Sequence, residues 1–222
     1  MKVILTGATG LVGSALVREC ITNPAITSAF VLTRKSLSPE LENHPKIKVI
    51  YHHDFESYPP EVLEQLRGAE GCLWAIGGPA YRFPDLETCK KVSVDYTLAA
   101  ANAFVNVLAP DIKGGKFRFI FCSGMGAEVD DTKNLRYMKD TRRIKGQVES
   151  ELYKLEEKNK DRFEVWAVRP GGILPTTSNI LWKLIGGCFY YTTADKVASG
   201  MIQVLLYGYT MQIIEHNDLL KI

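Results

Sequence analysis

The chain opens with Val3-Ile4-Leu5, an apolar run the length of one buried strand, and breaks it with Thr6-Gly7-Ala8-Thr9-Gly10. Leu11, Val12, Ala15 and Leu16 then recur at helical spacing. A strand, a glycine turn and a helix in immediate succession leave few folds open. Gly7 permits the tight turn, Gly10 lets a phosphate approach the backbone, and Gly13 lets the helix pack closely on the strand. In this order the unpaired N–H groups of a helix N-terminus meet an anion such as a pyrophosphate. The spacing is Gly-x-x-Gly-x-x-Gly, so the strand before and the helix after identify the motif.

Ser28 to Thr33, Ile47 to Tyr51, Gly71 to Ile76, Phe117 to Cys122 and Phe163 to Val168 read as further strands, with Met211 to Ile214 as the last. Helices are predicted over Pro60 to Leu66, Leu86 to Leu108, Leu135 to Lys158 and Ala194 to Leu206, the last capped by Thr193. Pro39 to Pro45 reads as a polar loop. The alternation predicts an α/β fold with a doubly wound parallel sheet in one domain, residues 1–222, and a small cap from about residue 174 to 193.

Net charge is +2, from 27 basic and 25 acidic residues, which gives no electrostatic footprint for nucleic acid or a membrane surface. The apolar stretches are interrupted before a membrane-spanning length. Met1 runs straight into the first strand, so no signal peptide is expected and the chain is placed in the cytoplasm. The five cysteines lack paired spacing and read as reduced, buried thiols; the four histidines are scattered, and no metal site is expected.

In open α/β sheets ligands bind at the carboxyl ends of the strands. Arg34 and Lys35 follow the second strand with no acid beside them, which suits a 2′-phosphate and points to NADP rather than NAD. Asp54-Phe55, after the third strand, is placed to cap an adenine, and the glycines after Ala75-Ile76 let the backbone pass close to a nicotinamide ribose. Val92, Asp95 and Tyr96 mark one face of the long helix, with Asp95 read as a structural hydrogen-bonding residue. Tyr81 and Phe83, with Trp182, Phe189 and Tyr190 in the cap, are expected to shape a pocket for a small-molecule substrate.

These residues resemble the short-chain dehydrogenase/reductase superfamily, and within it the atypical members related to the Tat-interacting-protein-like oxidoreductases. The resemblance rests on Thr6 to Gly13, Arg34-Lys35, Asp54-Phe55, Val92 to Tyr96, Ser123-Gly124, Lys145 to Glu149, Arg169-Pro170-Gly171 and Ile214 to Leu219. It implies a Rossmann fold. It also implies a nicotinamide cofactor held by Thr6, Gly7, Thr9, Gly10, Leu11, Val12 and Gly13 at the pyrophosphate and Arg34 and Lys35 at the 2′-phosphate. Asp54 and Phe55 would serve the adenine, Ala75, Ile76 and Gly77 the ribose, and Pro170, Gly171, Gly172 and Ile173 the nicotinamide amide.

The family's catalytic set is a serine, a tyrosine and a lysine, the last two four residues apart on one helix face. The ammonium lowers the phenol pKa and binds the ribose, and the phenol exchanges a proton with the carbonyl oxygen as hydride moves. Ser123 and Lys145 match, but Thr141 stands at the tyrosine's position, and a threonine hydroxyl is far too weak an acid to replace a phenol. Tyr137, one turn earlier on the same predicted helical stripe, lies eight residues from Lys145, a rise of roughly 12 Å and too far for the usual direct coupling, so a substitute acid is sought in Tyr137, Tyr81 or the substrate itself. Three readings follow: an NADP(H)-dependent reductase of a largely apolar carbonyl compound; a non-redox isomerase, dehydratase or cyclase; and an NADP-responsive regulatory or binding protein. Superfamily relatives pair through the two long helices, so a monomer or a homodimer is expected.

Overall fold

Both faces of the sheet are covered by helices, which is why its strands are near-continuous apolar runs. Every residue of Ser28–Thr33 is buried, for example. The computed structural model describes residues 1–130, 132–175 and 190–222. Its strands are β1 (Lys2–Thr6), β2 (Ser28–Thr33), β3 (Ile47–Tyr51), β4 (Gly71–Trp74), β5 (Phe117–Cys122), β6 (Phe163–Arg169), β7 (Gly172–Leu174), β8 (Tyr191–Thr193) and β9 (Ile213–Glu215). Seven form one parallel sheet in the order β3-β2-β1-β4-β5-β6-β9. The order reverses between β1 and β4, and the carboxyl ends of all seven strands lie along one edge.

The helices are α1 (Leu11–Thr22), α2 (Pro39–Glu42), α3 (Pro60–Gln65), α4 (Leu86–Lys90), α5 (Tyr96–Val107), α6 (Lys139–Lys158), α7 (Ala194–Tyr207) and α8 (His216–Leu219). Side-chain alternation along the strands divides the core in two. Phe117, Phe119 and Phe121 face α5 and α6 with Trp74, Phe104 and Phe163, and Trp74 stacks on Phe119 at 5.8 Å. Ile120 and Cys122 face α1 and α7 with Leu5, Leu16, Val197 and Met201.

The predicted doubly wound parallel sheet is the fold observed, with differences at particular elements. β4 ends at Trp74, because Ala75 turns its N–H to Thr6 Oγ1 at 3.1 Å instead of into a ladder. The stretch predicted as a loop contains α2. A small parallel pair, β7 with β8, was not anticipated. The helix predicted from Leu135 begins at Lys139, because Met138 takes a left-handed conformation (φ 48°) that a continuing helix does not admit. The rod predicted over Leu86 to Leu108 carries a π-helical turn, Lys91–Asp95, between α4 and α5. Its buried stripe runs through Ser93, Thr97, Ala100, Ala101 and Phe104, so Asp95 is exposed rather than on the packed face.

By length and composition the stretch Leu86–Asp111 is apolar enough to cross a membrane, contrary to the sequence reading, but half of it is buried inside the fold, as in a core helix. Cys20, Cys72, Cys89 and Cys122 are free and buried. Cys188 lies outside the described residues.

The register of α1 depends on Gly13. A Cβ there would fall 1.9 Å from the carbonyl oxygen of Gly7. Gly13→Ala is therefore expected to destabilise the protein by about 1–3 kcal/mol through overpacking. Thermal unfolding should show a midpoint lower by several degrees, whereas Ser14→Ala, one residue on, should stay close to wild type.

Candidate functional site

At the start of α1, Gly10 N donates to Gly7 O at 2.8 Å and Ser14 N to Gly10 O at 2.9 Å. The N–H groups of Leu11, Val12 and Gly13 thus have no acceptor within the helix, and Gly10 supplies no side-chain cap. The glycines keep the approach to them open. At Gly7, where φ is +69°, a Cβ would lie 2.5 Å from Ala75 O.

In front of this turn lies a groove of about 140 Å³. It brings together six of the expected residues: Gly7, Thr9, Arg34, Lys35, Phe55 and Ile76. Ala8, Leu32, Thr33 and Tyr96 complete it and were not singled out as cofactor ligands from sequence. Thr33 Oγ1 donates to Lys35 O at 2.8 Å and accepts from Lys35 N at 3.2 Å, which fixes the turn that carries Arg34. Tyr96 stacks on Phe55 with ring centres 5.9 Å apart. Asp54 does not line the groove. Its carboxylate accepts from Glu56 N at 3.0 Å and Ser57 Oγ at 3.1 Å, bonds that hold it below the usual carboxylate range and commit it to its own turn.

The second half of the site lies at the ends of β4, β5 and β6. Lys145 is buried in α6, and its Nζ donates to Cys122 O at 2.9 Å and sits 4.6 Å from the centre of the Phe121 ring. Burial pushes its pKa down, with Cys122, Glu149 and Cys89 opposing. The point that a Cβ on Gly77 would occupy is 3.4 Å from Lys145 Nζ and 3.4 Å from Ser93 Oγ, so the π-helical turn and α6 converge on this glycine. Ser93, buried, was missed as a site residue. Its only advance signal was its place in the Val92 to Tyr96 stretch.

Ser123 is buried at the end of β5 and donates its hydroxyl proton to Glu149 Oε1. Arg169 Nε bonds the same carboxylate at 2.9 Å, and Arg169 Nη1 reaches Glu215 at 2.8 Å. Thr141 Oγ1 accepts from Ala80 N at 2.8 Å. Tyr137 precedes α6 and is 76% exposed, so the shared helical stripe expected for Tyr137, Thr141 and Lys145 is not formed.

In the turn after β6, Pro170 O accepts from Met125 N at 2.8 Å, Gly171 N donates to His216 Nδ1 at 3.1 Å, and Gly172 N donates to Tyr190 O at 2.8 Å. The Gly171 and Gly172 amides expected at the nicotinamide are therefore used within the fold, and Ile173 packs beside the α1 and α7 core. Tyr81 is exposed on a short turn, Ala80–Arg82, while Phe83 packs partly against the core. Tyr190 is exposed, with its ring 6.2 Å from that of His216. Trp182 and Phe189 lie outside the described residues. A larger recess, about 590 Å³, opens between α6 and Ile213; it borders Glu149 and Arg169 but not the glycine turn.

No family model matches the chain. Leucinostatins biosynthesis cluster protein T from Purpureocillium lilacinum is 31% identical over 200 residues, 89% of this chain and 68% of that protein. Gre2 from Candida albicans, solved in complex with NADPH, superposes with a TM-score of 0.72 over 97% of this chain and 78% of its own, at 15% identity. A short-chain dehydrogenase/reductase family oxidoreductase from Burkholderia thailandensis gives a TM-score of 0.69 over 99% of this chain and 92% of its own, at 15% identity. The chain belongs to the family of leucinostatins biosynthesis cluster protein T, and its fold is that of the short-chain dehydrogenase/reductase structures.

In a short-chain dehydrogenase/reductase frame, residue 141 is one helical turn before Lys145 and faces the same way. Among the described residues no phenol takes that place beside Lys145. Glu149 follows Lys145 by four residues, and its contact with Ser123 becomes visible only in the fold.

The depressed pKa of Lys145 has a measurable consequence. Between its folded value and the ordinary 10.5, the unfolded chain binds the proton more tightly, so this group's contribution to stability rises with pH. Urea unfolding of wild type and Lys145→Met should show the free-energy difference moving in favour of wild type from neutral pH towards that value. A pH-independent difference would mean that burial of the ammonium is not felt.

Proposed function

We propose that the protein is an NADP(H)-dependent reductase of a largely apolar carbonyl compound, atypical in carrying Thr141 where its superfamily carries the catalytic phenol. The observation that carries this reading is the groove beside the glycine turn: it is lined by Gly7, Ala8 and Thr9 and by Arg34 and Lys35, with no carboxylate among its described lining residues, and the turn leads into the uncapped N–H groups of α1. Backbone N–H groups and the helix dipole favour a pyrophosphate. A cation pair without an acid favours a 2′-phosphate over a free 2′-hydroxyl. Gre2, of the same fold, was solved with NADPH.

When bound, the cofactor supplies the hydride. Leu11, Val12 and Gly13 would hold its pyrophosphate, Arg34 and Lys35 its 2′-phosphate, and Phe55 and Tyr96 would border the adenine side. Lys145, facing Gly77, would donate to the ribose and to the carbonyl oxygen, and its depressed pKa makes it a better proton donor than an ordinary lysine. The substrate pocket is assigned to the neighbourhood of Tyr81, Phe83 and Tyr190.

One observation favours a second reading. Thr141 is engaged by Ala80 N and no phenol replaces it among the described residues, which also suits a non-redox isomerase, dehydratase or cyclase, or an NADP-responsive binding protein. Stopped-flow mixing of the NADPH-loaded protein with aldehydes, ketones and quinones separates them. Oxidation of NADPH that is abolished in Lys145→Ala supports the reductase. Tight NADPH binding without oxidation by any of them supports the second reading.

Cofactor preference has its own test. Arg34→Ala should raise the Kd for NADPH about tenfold or more and leave that for NADH within about twofold, since the lost ion pair involves the 2′-phosphate alone. Equal losses for both cofactors would remove Arg34 from this role.

A further inference from the structure

Ser123 has one hydroxyl proton, and the fold directs it away from any ligand. It goes to Glu149, a carboxylate 2% exposed. Arg169 holds both oxygens of that carboxylate, through Nε and Nη2, and ties it through Nη1 to Glu215, which is 46% exposed. A guanidinium keeps its charge and has only donors, so the carboxylate facing it is an acceptor only. A serine oxygen whose proton is committed offers lone pairs alone. Ser123 therefore presents an acceptor where the superfamily pattern calls for a donor to the substrate carbonyl. The neighbouring donor is Lys145: one of its three N–H groups is taken by the carbonyl of Cys122, the residue before Ser123.

We infer that the site takes a carbonyl compound with a hydroxyl on the adjacent carbon. Lys145 donates to the carbonyl oxygen, Ser123 Oγ accepts from the substrate hydroxyl, and Glu149 is the positioning residue that sets the polarity of the serine. This rests on the reductase reading and names its substrate class. A plain ketone sets acceptor against acceptor at Ser123, whereas a hydroxyketone satisfies both protein groups. The reaction balances. The carbonyl carbon gains hydride from the dihydronicotinamide, the π pair passes to oxygen, and that oxygen takes a proton from the Lys145 ammonium. A vicinal diol leaves, and the amine is reprotonated from water.

Acetophenone and phenacyl alcohol, the same ketone with an added hydroxyl, form the test pair. Their Kd values are measured calorimetrically with and without NADPH, and their kcat/KM values by NADPH oxidation. Wild type should prefer phenacyl alcohol by about tenfold in both measures. Ser123→Ala, which leaves the Glu149–Arg169 pair in place, should bring the two ketones to parity. In Glu149→Gln, Arg169 takes the amide oxygen and the amide N–H turns to Ser123, which frees the serine proton and should shift preference towards acetophenone. A purely structural role for Glu149 would lower both ketones alike. Equal binding of the pair by wild type, or a preference that survives Ser123→Ala, overturns the inference. A binding preference without NADPH oxidation supports the assignment of Ser123 and overturns the reductase reading alone. NADPH oxidation without discrimination does the reverse.

Discussion

The backbone of Gly7 lies against the carbonyl of Ala75, so closely that a methyl group at Gly7 would stand 2.5 Å from that oxygen. This approach, together with the bond from Ala75 N to Thr6 Oγ1, closes the ends of β1 and β4, the pair between which the strand order reverses. Such a reversal opens a crevice at the carboxyl edge of a parallel sheet. Residues from the ends of separate strands meet there only if β1 and β4 are held in register. Arg34 arrives from β2 on one side, and Ser123 with Lys145 from β5 and α6 on the other. With any larger residue at position 7, the crevice would widen and the cation pair and the lysine would no longer address one elongated ligand.

What the crevice does chemically is decided by which polar groups the fold has already used. Buried donors and acceptors find partners, and each partner found inside the protein is one fewer for a ligand. Asp54 is consumed by its own turn, the Gly171 and Gly172 amides by His216 and Tyr190, and the Ser123 proton by Glu149. The uncapped amides of α1, the exposed Arg34 and the spare N–H groups of Lys145 remain as donors. Among the described residues the site is therefore rich in donors, and Ser123, its proton committed to Glu149, offers an acceptor near Lys145.

The sheet was legible because its strands are apolar on both faces. β2, β3 and β5 keep the bounds read from the sequence, each built around buried Val, Ile, Leu or Phe residues. The glycine turn was legible because no other residue type serves there. Tyr137 was misplaced because helical periodicity continues through it, while the left-handed turn at Met138 leaves no mark in the side-chain pattern. Glu149 was legible as a residue but not as a partner. An acid four positions after a lysine usually means a solvated ion pair on a helix surface, and only burial against Arg169 from β6 turns it inward. The π-helical turn that brings Ser93 to Gly77 has no compositional signature at all.

Thr141 has a structural task of its own. Its hydroxyl accepts from Ala80 N and so pins the short turn that carries Tyr81 to the first turn of α6. A phenol at this position projects several ångströms beyond where the threonine oxygen sits, and it would leave the Ala80 amide without that acceptor. The bond is part-buried, so losing its acceptor costs less than the penalty for a fully buried donor, but it still couples the residue at 141 to the conformation of the loop after β4. That loop, with Gly77 facing Lys145, forms one wall of the reacting end. The residue at 141 therefore sets both the acid available at this position and the wall. A phenol placed at 141 would add an acid and at the same time release the wall that the threonine holds, so that substitution alone changes two features of the site at once.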